Sequence, residues 1–339
     1  MHSYLFPLIA ALLVGVSATA ELQYTTPAEA LQQATAQQKG VMMVFTGSDW
    51  CGACKMQETQ ALSRPDVQEA ITAAFIPTEL DFPRQKQQDA QTKATLARYK
   101  QSYGITGFPT LVFADKQGRP VHIVVGYSGP SQLLQDTATA TELLKKQQAL
   151  TAKLADKLSD QQRRETLTTL LQTVPQSTIR TFYKQALDEL TQLDPQDASG
   201  IRTQLHQRDL LQSQREELAR SFRQHKLHQL IRQDPQQAIS LIDSHLQRQG
   251  LLPEIKQGLL SQKARLLLMQ NRVHELEAPL REAVALCPDS QEGKQCADLL
   301  NKLPEIKRTR GSLAPGERPQ LPAGAIPATK MILPPRSTR

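Results

Sequence analysis

Residues Val41 to Met56 read VMMVFTGSDWCGACKM. Val41–Phe45 is a short apolar run with β-branched Val41 and Val44, and Gly40 and Gly47 lie close by on either side. That pattern predicts a buried strand. The chain then turns through a polar loop to Cys51, and a helix is expected from Gly52 to Leu62. Cys54 falls one turn into it. Positions i and i+3 share a helical face and lie close enough to bridge. A helix start offers free amide hydrogens and a positive dipole end, both of which stabilise a thiolate. The thiolate is the species that attacks a disulfide, so Cys51 is the candidate nucleophile and Cys54 the resolving thiol. Two other readings compete. Structural zinc needs four ligands, and the other cysteines, Cys287 and Cys296, lie more than 230 residues away. A purely structural disulfide is the second alternative, but so short a span closes almost no loop.

Working outward, Thr26-Pro27-Ala28-Glu29 combines capping-box spacing with Pro at the first helical position, so a helix begins there and stops near Lys39-Gly40. A second strand is expected over Phe75–Leu80, and a helix over Gln85–Tyr103. Strands at Thr110–Ala114 and Val121–Tyr127 flank a hairpin turn, Asp115-Lys116-Gln117-Gly118. A final helix starts near Ser131. This α-β-α-β-α-β-β-α order predicts a mixed sheet flanked by helices.

On that element order, the Trp50-Cys51-Gly52-Ala53-Cys54 core and the GFPT of Gly107–Thr110 resemble the thioredoxin superfamily over about Glu21–Leu144. FTGSDWCGACK (Phe45–Lys55) with LDFPR (Leu80–Arg84) looks like its exported branch. The resemblance implies an α/β thioredoxin-like fold. It implies that Pro109 is a cis-proline facing the cysteines, that Phe108 and Pro109 line a groove where a client strand pairs with the backbone, and that Trp50 flanks the site. The sequence departs from thioredoxin at Ala53, where the family member has Pro. Val44 or Phe45 replaces its buried acid, which leaves Glu79 and Asp81 on the next strand as the candidate proton acceptors. Glu79 also stands where thioredoxin has a lysine. The missing proline leans toward a less reducing pair, and the direction of electron flow stays open.

The remaining sequence sets the domain plan. Tyr4–Val16 is uncharged and mostly apolar and leads to Ala18-Thr19-Ala20, so residues 1–20 read as an export leader. A periplasmic or secreted, soluble protein is expected, in a compartment that tolerates disulfides. A thioredoxin-like domain is expected over 21–146 and an all-helical domain over 150–305. In the latter, apolar residues recur at three and four, as in Leu167, Leu170, Leu171 and Val174. Pro175, Pro195, Pro235, Pro253, Pro288 and Pro304 punctuate these helices, and the pattern "ARLLLMQNRVHELEA" resembles a tetratricopeptide hairpin without a regular period. Cys287 and Cys296 are the candidates for a structural disulfide pinning one such hairpin. The net charge of +7 is concentrated at the end: residues 305–339 hold seven Lys or Arg against two Glu. With six prolines after residue 310, 306–339 reads as a disordered basic tail, and no nucleic-acid partner is expected. No cofactor, metal or transmembrane segment is expected. The function expected is thiol-disulfide oxidoreductase, with the helical domain selecting client proteins or mediating association and an unidentified redox partner resetting the pair. The alternative is a helical interaction scaffold on a thioredoxin-like platform with little redox activity.

Overall fold

The computed structural model describes residues 22–310. The leader expected over 1–20 and nearly all of the expected tail lie outside them. Residues 306–310 belong instead to the last helix, where Ile306 packs on the core and Lys307 pairs with Glu277.

Four strands form one sheet in the order β2-β1-β3-β4: β1 (Gly40–Thr46), β2 (Phe75–Asp81), β3 (Thr110–Ala114) and β4 (Pro120–Val125). β1 is parallel to β2 and antiparallel to β3, and β3–β4 is the expected hairpin. Every residue of β1 is buried, as a central strand covered on both faces requires. Met42 and Val44 pack with Leu62, Ile71, Leu111 and Leu133 on one face. Met43 and Phe45 pack with Ala34, Tyr103 and Val112 on the other. Each such side chain contributes roughly 1.5–3 kcal/mol of burial free energy.

The flanking helices are α1 (Pro27–Gln37), α2 (Gly52–Met56), α3 (Pro65–Ala74), α4 (Ala90–Ser102) and α5 (Pro130–Lys153). The Thr26–Glu29 capping box forms as read. The single helix expected after Cys51 is instead α2 followed by a π-helical turn over Gln57–Leu62. The wider turn carries Gln57 inward, where its Oε1 accepts the Ser128 amide at 2.9 Å.

Strands end with β4, as the sequence predicts, and α6 (Asp160–Thr173), α7 (Ile179–Phe182) and α8 (Lys184–Leu193) follow. The first compact unit nevertheless runs through Gln196. The reason is aromatic: Phe182 packs on Tyr103 at 4.7 Å between centroids, and the buried Tyr183 hydroxyl donates to the Pro120 carbonyl at 2.9 Å. The second unit, from Asp197, contains α9 (Ile201–Gln224), α10 (Leu227–Gln233), α11 (Pro235–Leu246), α12 (Pro253–Met269), α13 (Glu277–Leu286) and α14 (Gln291–Arg310). Its core gathers Phe222, Leu227, Ile242, Leu259, Leu267 and Leu280, with successive helices packed on one another. Pro304 lies inside α14 rather than at its end. No helix among the described residues is long and apolar enough to cross a membrane.

Tyr183→Phe removes the donor to the Pro120 carbonyl and is expected to lower the first unit's stability by about 1–2 kcal/mol. Urea denaturation followed by far-UV circular dichroism measures it.

In the second unit His245 is 8% exposed, with Nε2 at 2.9 Å from Ser221 Oγ. Burial, then the neighbouring Arg248 and His225, holds its pKa below 6.5 against the opposing Glu217. The unfolded chain therefore takes up the proton first as pH falls. His245's contribution is full above about pH 6.5 and declines as pH drops toward the lower folded value. The urea midpoint of the second unit should fall between pH 7.5 and pH 5.5, and His245→Gln should flatten that slope.

Candidate functional site

The site begins where β1 leaves the sheet. The Gly47 carbonyl accepts the amides of Trp50 and Cys51, at 3.2 and 2.9 Å, and closes a tight turn. A Cβ on Gly47 would lie 2.5 Å from the Trp50 ring, so glycine is needed for the indole to fold back over the turn. Cys51 is the N-cap of α2, and the Cys54 amide donates to Cys51 Sγ at 3.2 Å. The two cysteines form a disulfide with their Cα atoms 5.2 Å apart. Both are largely buried in the oxidised form, Cys51 at 7% and Cys54 at 4% exposure.

The Phe108–Pro109 peptide is cis, as the resemblance implied. The Pro109 carbonyl accepts the Gly126 amide at 2.8 Å. Phe108 has no backbone partner among the described residues, so the free backbone edge belongs to Phe108. Trp50 meets the Phe108 ring edge-on at 5.7 Å, and Phe82 adds a third ring 5.2 Å from Phe108. Met56, Val125 and Tyr127 are large apolar residues that stay exposed in this unit. Val125 flanks Gly107, and Tyr127 bonds to Gln60 on the π-helical turn.

Two carboxylates fix the loops around the pair. Asp81, at the end of β2, accepts from the Ser48 amide at 2.9 Å and from its hydroxyl at 2.6 Å. Asp49 accepts in return from the backbone amides of Arg84, Gln85 and Lys86, at 3.0, 2.7 and 3.3 Å. These amide bonds, led by Arg84's, hold the Asp49 carboxyl below its ordinary range. Trp50 Nε1 donates to the Phe82 carbonyl at 2.8 Å and completes the link between the motif loop and residues 82–86. Asp81 is thus engaged with Ser48, while Glu79 stands beside Val44 in the strand register. Desolvation, then the charges of Asp81 and Glu58, raises the Glu79 carboxyl. The residue pattern around the cysteines revealed neither Asp49's role nor those of Phe82 and Arg84. The only signal was LDFPR, a strand end with Pro two residues past it.

Cys287 and Cys296 are not part of this site, and the bridge expected between them is not formed. Cys287 caps α13, with its carbonyl held by Gln257 Nε2 and Ser290 Oγ at 2.8 and 2.9 Å. Cys296 points into the second unit's core, near Ser261, and burial raises its thiol pKa. No cluster of three metal-ligating side chains occurs among the described residues.

Residues 27–140 match the family model of a thioredoxin-like domain. Over 102 residues the chain is 34% identical to the disulfide bond reductase DsbH of Chlamydia pneumoniae, covering 30% of this chain and 61% of that protein. Over 90 residues it is 34% identical to the thiol:disulfide interchange protein DsbD of Klebsiella pneumoniae subsp. pneumoniae, covering 26% of this chain and 14% of that protein. The alignments span less than two thirds of either relative. A solved DsbH oxidoreductase aligns at 28% identity over 42% of this chain and 96% of its own, with a TM-score of 0.35.

Asp49→Ala is expected to leave the fold intact and to release residues 84–86. Hydrogen exchange should show faster exchange at the amides of Arg84, Gln85 and Lys86, with β1 protection unchanged.

Proposed function

We propose that the thioredoxin-like domain at residues 27–140 is a thiol-disulfide oxidoreductase that reduces disulfides in client proteins. One geometry carries the reading: the Cys51–Cys54 disulfide at a helix start, with the Cys54 amide on Cys51 Sγ. That amide stabilises negative charge on the sulfur of Cys51 when the pair is reduced. The direction rests on the named activity of the Chlamydia relative, a disulfide bond reductase.

In the proposed cycle the Cys51 thiolate attacks one sulfur of a client disulfide. A mixed disulfide forms, and the client's other sulfur leaves as thiolate. The Cys54 thiolate then attacks Cys51 Sγ, regenerates the intramolecular disulfide and releases the second client thiol. Two electrons pass from the enzyme dithiol to the client, and a partner dithiol must restore them. The free backbone edge of Phe108, with the exposed Met56, Val125 and Tyr127, would seat an extended polypeptide. Export by the leader at 1–20 would place the reaction where client disulfides form, in the periplasm or outside the cell. The helical region from 150 to 305 would select clients or mediate association.

Cys51→Ser should abolish reduction of a protein disulfide, and Cys54→Ser should trap a mixed disulfide visible on non-reducing gels. In a Cys287→Ser, Cys296→Ser background, Trp50 fluorescence in glutathione buffers should give a midpoint below about −220 mV, as a reductase requires. A midpoint near −120 mV would reverse the assigned direction. The absence of any reversible transition would remove the oxidoreductase assignment.

A further inference from the structure

Two cations lie over the aromatic rings of Trp50 and Phe108. The Arg84 guanidinium lies over the Trp50 ring, 3.9 Å from its centroid. Lys100 Nζ lies 5.5 Å from the Phe108 centroid and 6.0 Å from that of Phe82. Some cations in this unit have carboxylate partners, as Arg64 does with Asp66 and Arg119 with Asp115, and others bond neutral oxygens, as Lys39 does with the Thr72 carbonyl and Lys116 with Gln38. Arg84 and Lys100 have no carboxylate partner among the described residues. The carboxylates of the two loops direct their oxygens elsewhere, Asp49 to the amides of residues 84–86 and Asp81 to Ser48.

Arg84 is also held in place. Its amide is fixed to Asp49, and the preceding Phe82 carbonyl is fixed to the Trp50 indole. A guanidinium over an aromatic ring retains N–H donors that can take a carboxylate through paired hydrogen bonds.

We propose that Arg84 and Lys100 form a recognition rim for acidic segments, so that the preferred substrate is a polypeptide disulfide whose cysteine is flanked by Asp or Glu. The proposal rests on the oxidoreductase reading and adds its substrate class. Asp49 is a positioning residue, because it sets the loop that carries Arg84 and touches no substrate. The chemistry is the exchange already described; the rim raises the encounter rate and holds the client in register.

The test uses the full-length protein and matched disulfide-linked peptides that differ only in Glu or Lys beside the cysteine. At low salt kcat/KM for the Glu peptide should exceed that for the Lys peptide by about 10-fold, through KM. The ratio should approach about 1 at molar salt, because exposed charges are screened there. In R84Q/K100Q it should fall to about 2-fold or less at low salt, with Asp49→Ala in between. Serine analogues of the same peptides, titrated against Trp50 fluorescence, should show the same order of affinity without any redox step. Equal rates and affinities for the two peptides, or a ratio unchanged in R84Q/K100Q, would overturn the rim. Failure of the wild-type protein to reduce the neutral hydroxyethyl disulfide would overturn the oxidoreductase reading instead. The fluorescence titration would still decide the rim in that case.

Discussion

β1 is buried from Gly40 to Thr46, hydrogen-bonded to β2 along one edge and to β3 along the other. A polar or reactive side chain along it would have to be desolvated, at a cost of several kcal/mol for a charged group. The chain leaves the sheet beyond the C-terminal end of β1, and the cysteine motif lies there. The turn at Gly47 reverses the chain under the Trp50 ring and delivers Cys51 to the first position of a helix. Cys51 is thus anchored by a strand behind it and a helix ahead of it, with the Cys54 amide aimed at its sulfur. The rest of the first unit serves that junction. α3 and α5 fill one face of the sheet, and Tyr103 with Phe182 fills the other.

The two loops at this end are joined by exchanged carboxylates. Asp81 leaves β2 and binds the motif loop; Asp49 leaves the motif loop and binds the segment after β2. Each carboxylate takes more than one donor, and such charge-assisted bonds are about twice as strong as neutral ones. The arrangement also has an electrostatic consequence. The negative charge nearest the disulfide is directed onto backbone amides and a serine, while the positive charge of Arg84 and Lys100 stands on aromatic faces without a counterion.

Much of the fold could be read in order along the chain, because local signals agreed with tertiary ones. The apolar run at Val41–Phe45, the Thr26–Glu29 capping box and the Asp115–Gly118 turn each specify their own geometry. The cysteine pair was legible as a short motif between an expected strand and an expected helix, whereas Pro109 was legible only through the resemblance to the thioredoxin superfamily. What escaped was nonlocal. Asp49 reaches backbone amides 35 to 37 residues away, and backbone amides leave no signature in sequence. Phe182 and Tyr183 sit on a helical pattern that looks like the start of a new domain, yet their rings complete the core around Tyr103 and the β3–β4 hairpin. Cys287 and Cys296 look like a pair by spacing, but one caps a helix and the other faces the interior. Periodicity marks an apolar face without saying which core that face joins.

The disulfide itself contributes little to holding this architecture. A loop of a few residues gains only about 2 kcal/mol in the chain-entropy account, against about 4.7 for a loop of 100. Even that overstates it here, because the strand end, the Gly47 turn and the helix start already fix both cysteines through their own hydrogen bonds. Trp50 is held to Phe82, Asp49 to residues 84–86, and Gln57 to Ser128, and none of these contacts runs through the bond. A cross-link that the fold does not need for its stability can be made and broken within a fixed frame. Repeated exchange asks for that property, and a structural staple would have no use for it.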